Sequence, residues 1–203
     1  MSVRTIFQIA ALLSSLAALP ATATGQRPER EEYAVIAAIL VQVFAQGDSW
    51  VVISAPTASF DCESKTLTVT VRECGAGMRD KQESLETVRA DLRNHIPTAS
   101  SVTIDDLMSK ARTGASITEP IPTKRAYSMD DHATYSPERI GTPDYLLYFS
   151  RVGFNRDRTR ALAYMAAATW VHGGLKGGRY VHLVRARHGW RIESTWLVWD
   201  MGG

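Results

Sequence analysis

The stretch of sequence that decides the fold is Arg179-Tyr-Val-His-Leu-Val-Arg-Ala186, followed by Arg187-His-Gly189 and Trp190-Arg-Ile-Glu-Ser-Thr-Trp-Leu-Val-Trp199. Both long runs are rich in β-branched and aromatic residues, and the short connection with a glycine is typical of a β-hairpin. Two upstream runs of the same kind, Tyr145–Phe154 and Ala161–Thr169, extend the pattern. The sequence therefore predicts an antiparallel meander of four strands in the last third of the chain.

The first half of the chain is dominated by helical patterns. Apolar residues recur at intervals of three and four over Glu31–Gln46, as on one face of an α-helix. A second helix is predicted from a cap at Asp80 to about His95, and a third from a cap at Thr103 through Lys110.

Short strands accompany these helices. Trp50–Ile53 is a short apolar run, Thr66–Arg72 alternates between apolar and polar residues, and one short strand is predicted near Tyr127. Because helices come first and most strands later, the sequence predicts an α+β domain whose N-terminal helices pack on one face of the C-terminal meander. A cystatin-like or NTF2-like arrangement fits this order.

The first residues indicate export. The positive charge of Arg4, the apolar run Ile6–Leu19 and the small residues Ala21 and Ala23 are typical of a cleavable signal peptide. The apolar run is short of the roughly 20 residues that span a bilayer, which disfavours a membrane anchor. The predicted organisation is a signal peptide at 1–23, a loose segment at 24–30 and one α+β domain at 31–203, located in the periplasm or secreted.

The two cysteines, Cys62 and Cys74, bracket the strand predicted at 66–72. In an exported protein, two thiols this close in sequence are more typical of a disulfide than of a metal or catalytic pair. Closing so short a loop is expected to stabilise the fold by about 2–4 kcal/mol. The sequence therefore predicts a Cys62–Cys74 disulfide.

Charge is nearly balanced over the whole chain, with a formal net charge of +2. This net charge gives no sign of a nucleic-acid partner, and none is predicted. The distribution is uneven, because nine Lys or Arg residues between Arg151 and Arg191 accompany a single acid, Asp157. Cations lined up on a meander would attract an anionic surface. A merely solvated basic face is the alternative.

The glycine-rich connector His172–Gly178 lies within this basic stretch. Glycines let backbone N–H groups approach an anion, and nearby cations add positive charge. The candidate ligand-binding residues are therefore Arg151, His172, Lys176 and Arg179. The spacing does not match a Walker phosphate loop, and a flexible connector between strands is the alternative interpretation.

Motifs for catalysis and metal binding are missing from the sequence. It contains no G-x-S-x-G element, no H-E-x-x-H and no Cys/His cluster, so neither a metal nor another cofactor is predicted. Asp131 and His132 offer a carboxylate and an imidazole, but neighbours in a loop do not share an orientation. His182 projects from the face opposite Val181 and Leu183, and we predict that it lies on the surface.

Tryptophans crowd the C-terminal end of the chain at positions Trp170, Trp190, Trp196 and Trp199. Aromatic residues on a sheet can stack on sugar rings, but they more often fill a core. Because Trp196 and Trp199 are three residues apart, a regular strand would place them on opposite faces, with at least one in the core.

Four short motifs mark the C-terminal third, namely Ser150-Arg-Val-Gly-Phe-Asn155, Ala161-Leu-Ala-Tyr164, Gly173-Gly-Leu-Lys-Gly-Gly178 with Tyr180, and Gly189-Trp190. In these motifs the chain resembles a family of small exported bacterial proteins of uncharacterised function. The resemblance implies export and a β-rich C-terminal region, and it implies no catalytic residue. The resemblance implies that relatives often carry cysteines at the positions of His172 and Lys176, so any bridge or metal site that relatives build from those thiols is not expected here.

The sequence favours binding over catalysis. The leading hypothesis is a non-enzymatic envelope or secreted module that binds an anionic or saccharide ligand. One alternative is a hydrolase with a dispersed site that uses Asp131 and His132. Another is an adaptor that binds a protein partner through an exposed strand edge. The sequence specifies no oligomeric state.

Overall fold

The computed structural model describes residues 28–44, 50–57, 59–61, 66–68, 85–111, 115–124, 126–130, 144–169 and 174–200. Three helices and nine strands lie within these ranges, which confirms the α+β class. The predicted signal peptide and the predicted Cys62–Cys74 disulfide fall outside them and stay predictions.

The helices are α1 (Arg30–Val43), α2 (Leu85–His95) and α3 (Ser101–Ala111). The strands are β1 (Val51–Ser54), β2 (Ser59–Asp61), β3 (Thr66–Thr68), β4 (Ser128–Asp130), β5 (Tyr145–Phe149), β6 (Gly153–Phe154), β7 (Arg160–Thr169), β8 (Gly174–Ala186) and β9 (Gly189–Asp200). Each of the three predicted helices has a counterpart, and β4 lies where a short strand was predicted near Tyr127.

Seven of these strands form one mixed sheet in the order β4-β1-β5-β7-β8-β9, with β6 paired to β7. The strands β5, β7, β8 and β9 are antiparallel to one another in turn and form the predicted meander. β1 pairs in parallel with both β4 and β5. Parallel pairing needs a long crossover, and the chain between β1 and β5 contains α2 and α3.

Both faces of the sheet are buried, because alternate residues of its strands enter two different hydrophobic clusters. Leu147 and Phe149 of β5 share one cluster with α1, whereas Leu146 and Tyr148 share the other with α2 and α3. The prediction that the helices cover one face is therefore wrong, since α1 lies on one side of the sheet and α2 and α3 lie on the other.

A bulge breaks the first strand of the predicted meander. Phe149 and Gly153 are four residues apart, whereas their partners on β7 are three residues apart. The Ser150 hydroxyl fills the interrupted ladder by accepting a hydrogen bond from the backbone N–H of Tyr164 at 2.9 Å. Bulges commonly re-aim a side chain, and this one directs Arg151 toward α1.

The glycine-rich segment joins the sheet instead of forming a connector. β8 begins at Gly174 and pairs with β7 from there onward. A Cβ atom on Gly178 would lie 2.0 Å from the Tyr164 hydroxyl and 2.3 Å from Trp199 Nε1, so this glycine makes room for aromatic side chains. The prediction of a flexible connector is therefore wrong for residues 174–178.

A second bulge determines which face the last tryptophans share. Tyr180 pairs with Trp196 and Gly178 pairs with Trp199, so both tryptophans lie on the same face. Both pack against the cluster that contains α2 and α3, and Trp199 Nε1 donates to the Tyr164 hydroxyl at 2.9 Å. The prediction of opposite faces assumed a regular strand and is wrong because the bulge adds a residue.

The N-cap of α3 is Ser100 and not the predicted Thr103. The Ser100 hydroxyl accepts a hydrogen bond from the backbone N–H of Thr103 at 3.2 Å, which is the usual contact between an N-cap and the third helical residue. Thr103 itself is buried in the first turn. The helix consequently starts three residues earlier than predicted.

The edge strand β9 is partly covered by one side chain of α1. Gln42 Nε2 donates to the carbonyl of Trp190 at 3.0 Å, and Gln42 Oε1 accepts from the N–H of Ile192 at 3.0 Å. These are the bonds that a neighbouring strand would make, and edge strands are commonly blocked in such ways. The Gln42 amide therefore closes this part of the edge to strand addition.

Candidate functional site

The four predicted ligand-binding residues do not form one exposed site in the described structure. Arg151 is buried, with 3% of its surface exposed, and Arg179 is half-buried on β8. The backbone of Lys176 belongs to β8, but its side chain and all of His172 lie outside the description. Because the glycines around Lys176 pair with β7, their backbone is engaged in the sheet and is not arranged as an anion-binding loop.

Arg151 forms a buried ion pair with Glu32 of α1. Arg151 Nε lies 2.9 Å from Glu32 Oε2, and Arg151 Nη2 lies 2.7 Å from Glu32 Oε1, which is the two-pronged geometry of strong guanidinium–carboxylate pairs. Glu32 also accepts from the backbone N–H groups of Val152 at 2.9 Å and Glu29 at 3.1 Å. Hydrogen bonding to Glu32 raises the pKa of Arg151. Arg151 therefore links the sheet to α1 and does not present its charge to solvent.

The motif Ser150–Asn155 joins the sheet to α3 as well. Lys110 Nζ donates to the carbonyl of Val152 at 3.1 Å, and the N–H of Phe154 donates to Asp106 Oδ2 at 2.8 Å. A Cβ atom on Gly153 would lie 2.4 Å from the backbone of α3, so glycine permits this close approach. Structural contacts thus explain this motif.

At one end of the sheet, two turns lie side by side. The turn before β7 touches the end of β8, because the N–H of Arg185 donates to the carbonyl of Thr159 at 2.7 Å. Arg158 in this turn pairs with Glu29 and Glu31 at the start of α1, and Arg185 also pairs with Glu31. These contacts neutralise two cations of the basic stretch.

Three further arginines at this end, Arg156, Arg187 and Arg191, form what we call the basic end. All three are exposed, and they take part in none of the ion pairs within the described ranges. The acid in the same region, Asp157, accepts a hydrogen bond from the Thr159 hydroxyl at 2.8 Å. That bond lowers the pKa of Asp157. Because Asp157 takes part in no ion pair within the described ranges, the three arginines stay available to an external anion.

A second polar cluster surrounds His182, which is fully buried and not on the surface as predicted. His182 Nδ1 lies 3.1 Å from Glu193 Oε2 and 3.0 Å from the Thr98 hydroxyl. Arg160 Nη1 lies 2.7 Å from the same Glu193 oxygen and 3.3 Å from the Thr98 carbonyl. The prediction failed because the connection between α2 and α3 covers this face of β8.

Two polar atoms in the His182 cluster have no hydrogen-bond partner among the residues that the structure describes. His182 Nε2 is buried and makes no hydrogen bond to any described residue, and the same holds for Ser194 Oγ, whose residue pairs with His182 across β8 and β9. Burial is the largest cause that lowers the pKa of His182; the charge of Arg160 lowers it further, while Glu193 raises it. Orphaned polar atoms beside a residue with a shifted pKa mark a functional-site candidate.

The sequence held one signal for this burial. Tyr180–Val184 is apolar on both sides of the strand apart from His182, and such runs are typical of strands that are covered on both faces. A histidine in such a run is buried whichever face it takes. Its partners Thr98 and Glu193 come from distant positions, so the sequence pattern could not assign them.

Aromatic rings continue along the same face next to His182. The Trp196 ring stacks with His95, with 4.5 Å between the ring centroids, and with Tyr180 at 5.7 Å. Trp190 is buried on the other face against Phe154. These contacts use the rings for internal packing, which leaves less of their surface for stacking on a sugar. Trp170 lies outside the described residues.

The structure offers little support for metal or acid–base chemistry elsewhere. No group of three or more His, Cys, Asp or Glu side chains in the described part of the chain is placed to hold a metal ion. Asp131 and His132 lie outside that part, so the catalytic hypothesis built on them stays a prediction. None of the described helices is long and apolar enough to cross a membrane.

No family model, no curated protein and no solved structure matches the chain. The resemblance to small exported bacterial proteins therefore stays a prediction.

Proposed function

We propose that the chain is an exported, non-enzymatic module that binds an anionic ligand at the basic end. The observation that carries the proposal is that Arg156 and Arg187, in two adjoining turns, and Arg191, near the start of β9, are exposed without an intramolecular ion pair in the described structure. The planar fork of arginine suits carboxylate, phosphate and sulfate groups. An acidic polymer outside the cytoplasm presents such groups repeatedly.

The sheet gives the basic end a fixed geometry. Arg191 pairs with Val184 on β8, and Val184 pairs with Arg160 on β7. Strand pairing across β7, β8 and β9 therefore fixes the backbone position of Arg191. The ion pairs of Arg158 and Arg185 with α1 hold the adjoining turns. Charged groups on rigid supports lose less conformational freedom when they bind a ligand.

The anionic part of the ligand hypothesis has more support than the saccharide part. Arg151 is buried in its ion pair, and Trp196 is half-buried with its ring stacked on His95. Arg151 therefore offers no recognition surface, and Trp196 offers only part of its ring. The basic end therefore replaces the glycine-rich segment as the proposed site. A cystatin-like or NTF2-like arrangement, with a helix packed on a curved sheet, is also proposed for α1 and the meander, supported by the cluster that α1 shares with β5, β7, β8 and β9.

The binding proposal is tested with fluorescein-labelled heparin oligosaccharide as the probe. The triple variant R156Q/R187Q/R191Q should bind it more weakly by about 3- to 150-fold, if each exposed ion contact contributes about 0.2–1 kcal/mol. Fluorescence anisotropy at two salt concentrations measures the affinities, and binding to the unaltered protein should weaken with salt.

A matched control removes the same charge elsewhere. Arg93 lies on α2, Lys124 lies in a loop and Arg179 lies on β8. The variant R93Q/K124Q/R179Q should retain most of the affinity for the oligosaccharide. Equal losses in both triple variants would mean that net charge alone attracts heparin. Unchanged binding by R156Q/R187Q/R191Q would refute the proposed site.

Export and the disulfide have their own test. The intact mass of the protein recovered from its compartment should correspond to a chain that begins near Thr24 and has lost two hydrogens to a Cys62–Cys74 bridge. A chain that retains Met1 or both free thiols would contradict these two predictions without affecting the binding site.

A further inference from the structure

The connection between α2 and α3 is fastened to the sheet at His182. Thr98, in this connection, contacts His182 through its hydroxyl and Arg160 through its carbonyl. On either side of Thr98, Ile96 and Ala99 are buried in the cluster that includes α2 and α3. The His182 cluster therefore holds a short segment that otherwise depends on a few apolar contacts.

The contacts favour a neutral imidazole with its proton on Nδ1. The Glu193 carboxylate at 3.1 Å from Nδ1 can only accept a hydrogen bond, so Nδ1 has to donate. The Thr98 hydroxyl, 3.0 Å from Nδ1, can accept from the same N–H. Burial raises the pKa of Glu193, but hydrogen bonding to Arg160 and the charge of Arg160 contribute to a net lowering, so this carboxylate stays ionised. Nε2 then carries a lone pair in a buried position, where no described residue is bonded to it.

We propose that His182 is an acid-sensitive latch whose protonation releases the connection between α2 and α3 from the sheet. Protonation places an N–H on Nε2, and an unpaired buried donor on a charged group is strongly unfavourable. Hydration of that N–H requires water to reach the ring. Because the α2–α3 connection covers this face of the sheet, the connection has to move away before water can reach Nε2.

In the described part of the chain, two charged groups face His182, one from each neighbouring strand. Glu193 on β9 favours the protonated ring, and Arg160 on β7 disfavours it. From the α2–α3 connection, Thr98 contacts His182, and Thr98 carries no charge. His95, at the end of α2, stacks on Trp196. Because burial and Arg160 outweigh Glu193, the latch is closed above the ordinary histidine pKa and opens as the pH falls through a lower value.

Nuclear magnetic resonance of the labelled protein tests the latch. The Cε1–H signal of His182 should titrate with a midpoint below that of an exposed histidine, and the amide signals of Thr98, Ala99 and Ser100 should change with the same midpoint. In E193Q, both midpoints should shift together to lower pH, because the carboxylate that favours protonation is gone. Glu193 is partly exposed, so this substitution leaves the core intact.

Two further variants complete the test. H182Q cannot take up the proton and should lose the transition of the Thr98–Ser100 amides, whereas H188Q, which alters a histidine exposed in the β8–β9 turn, should retain it. The proposal is overturned if His182 titrates while those amides do not respond, if the midpoint stays unchanged in E193Q, or if H182Q keeps the transition.

Discussion

Replacing Glu32 by glutamine tests whether the buried ion pair with Arg151 holds α1 on the sheet. Glutamine has the same shape, so the substitution changes charge and hydrogen bonding without leaving a cavity. Both oxygens of Glu32 are surrounded by donors, namely the Arg151 guanidinium and the N–H groups of Val152 and Glu29. An amide NH2 group at either position would face another donor.

The expected loss follows from the burial of both partners. Glu32 is fully buried and Arg151 is 3% exposed, so the guanidinium would stay in the interior without its counter-charge. Removing one partner of a buried pair typically destabilises a protein by about 3–5 kcal/mol. With a urea dependence of about 2 kcal/mol per M, the unfolding midpoint should fall by roughly 1.5–2.5 M.

Urea unfolding followed by circular dichroism measures this shift, and E31Q is the matched control. Glu31 is the preceding residue of α1, and its partners Arg158 and Arg185 are about half exposed, so its loss should cost about 1 kcal/mol or less. If E32Q is no less stable than E31Q, the reasoning about the buried pair is refuted.

Four other outcomes are expected. The free energy of unfolding should decrease as the pH falls below the ordinary histidine pKa, because the pKa of His182 is lower in the folded protein and the unfolded chain therefore binds the proton first. This pH dependence should be absent in H182Q. If it persists in H182Q, it does not come from His182. Gly153→Ala should destabilise the protein by about 1–3 kcal/mol through its clash with α3, and an unchanged urea midpoint would contradict the close packing. Gly178→Ala should alter the near-ultraviolet circular dichroism by displacing aromatic rings, and an identical spectrum would speak against those contacts. Gln42→Ala should lower the free energy of unfolding by about 1–3 kcal/mol through the loss of two hydrogen bonds to β9. It should also increase self-association, measured by sedimentation velocity, because the β9 edge is uncovered. A variant that stays monomeric and equally stable would show that Gln42 does not protect this edge.

Much of the fold could be predicted from local patterns, because periodicity acts over a few residues. The meander and the three helices follow from alternation and from helical spacing. One error arose where a single residue changes the register, in the bulge between Trp196 and Trp199. A bulge depends on how two strands pair, and a single strand carries no signal for it.

The candidate site was harder to predict, because its residues acquire their roles from distant partners. Arg151 and Arg156 are both arginines of one basic stretch, but Arg151 meets Glu32 in the interior whereas Arg156 stays exposed in a turn. The sequence separation between Arg151 and Glu32 hides this pairing. Burial of His182 follows similarly from the position of α2 and α3 on the second face of the sheet.

The central claim is that an anionic ligand binds at the basic end, and chemical-shift mapping with unlabelled heparin oligosaccharide tests it most directly. Addition of the oligosaccharide to labelled protein should shift the amide signals of residues 155–159 and 187–191, while those around Lys124 and Arg93 stay in place. Saturable shifts confined to these two turns would support the claim. Shifts centred elsewhere, or no saturable shift at low salt, would contradict it.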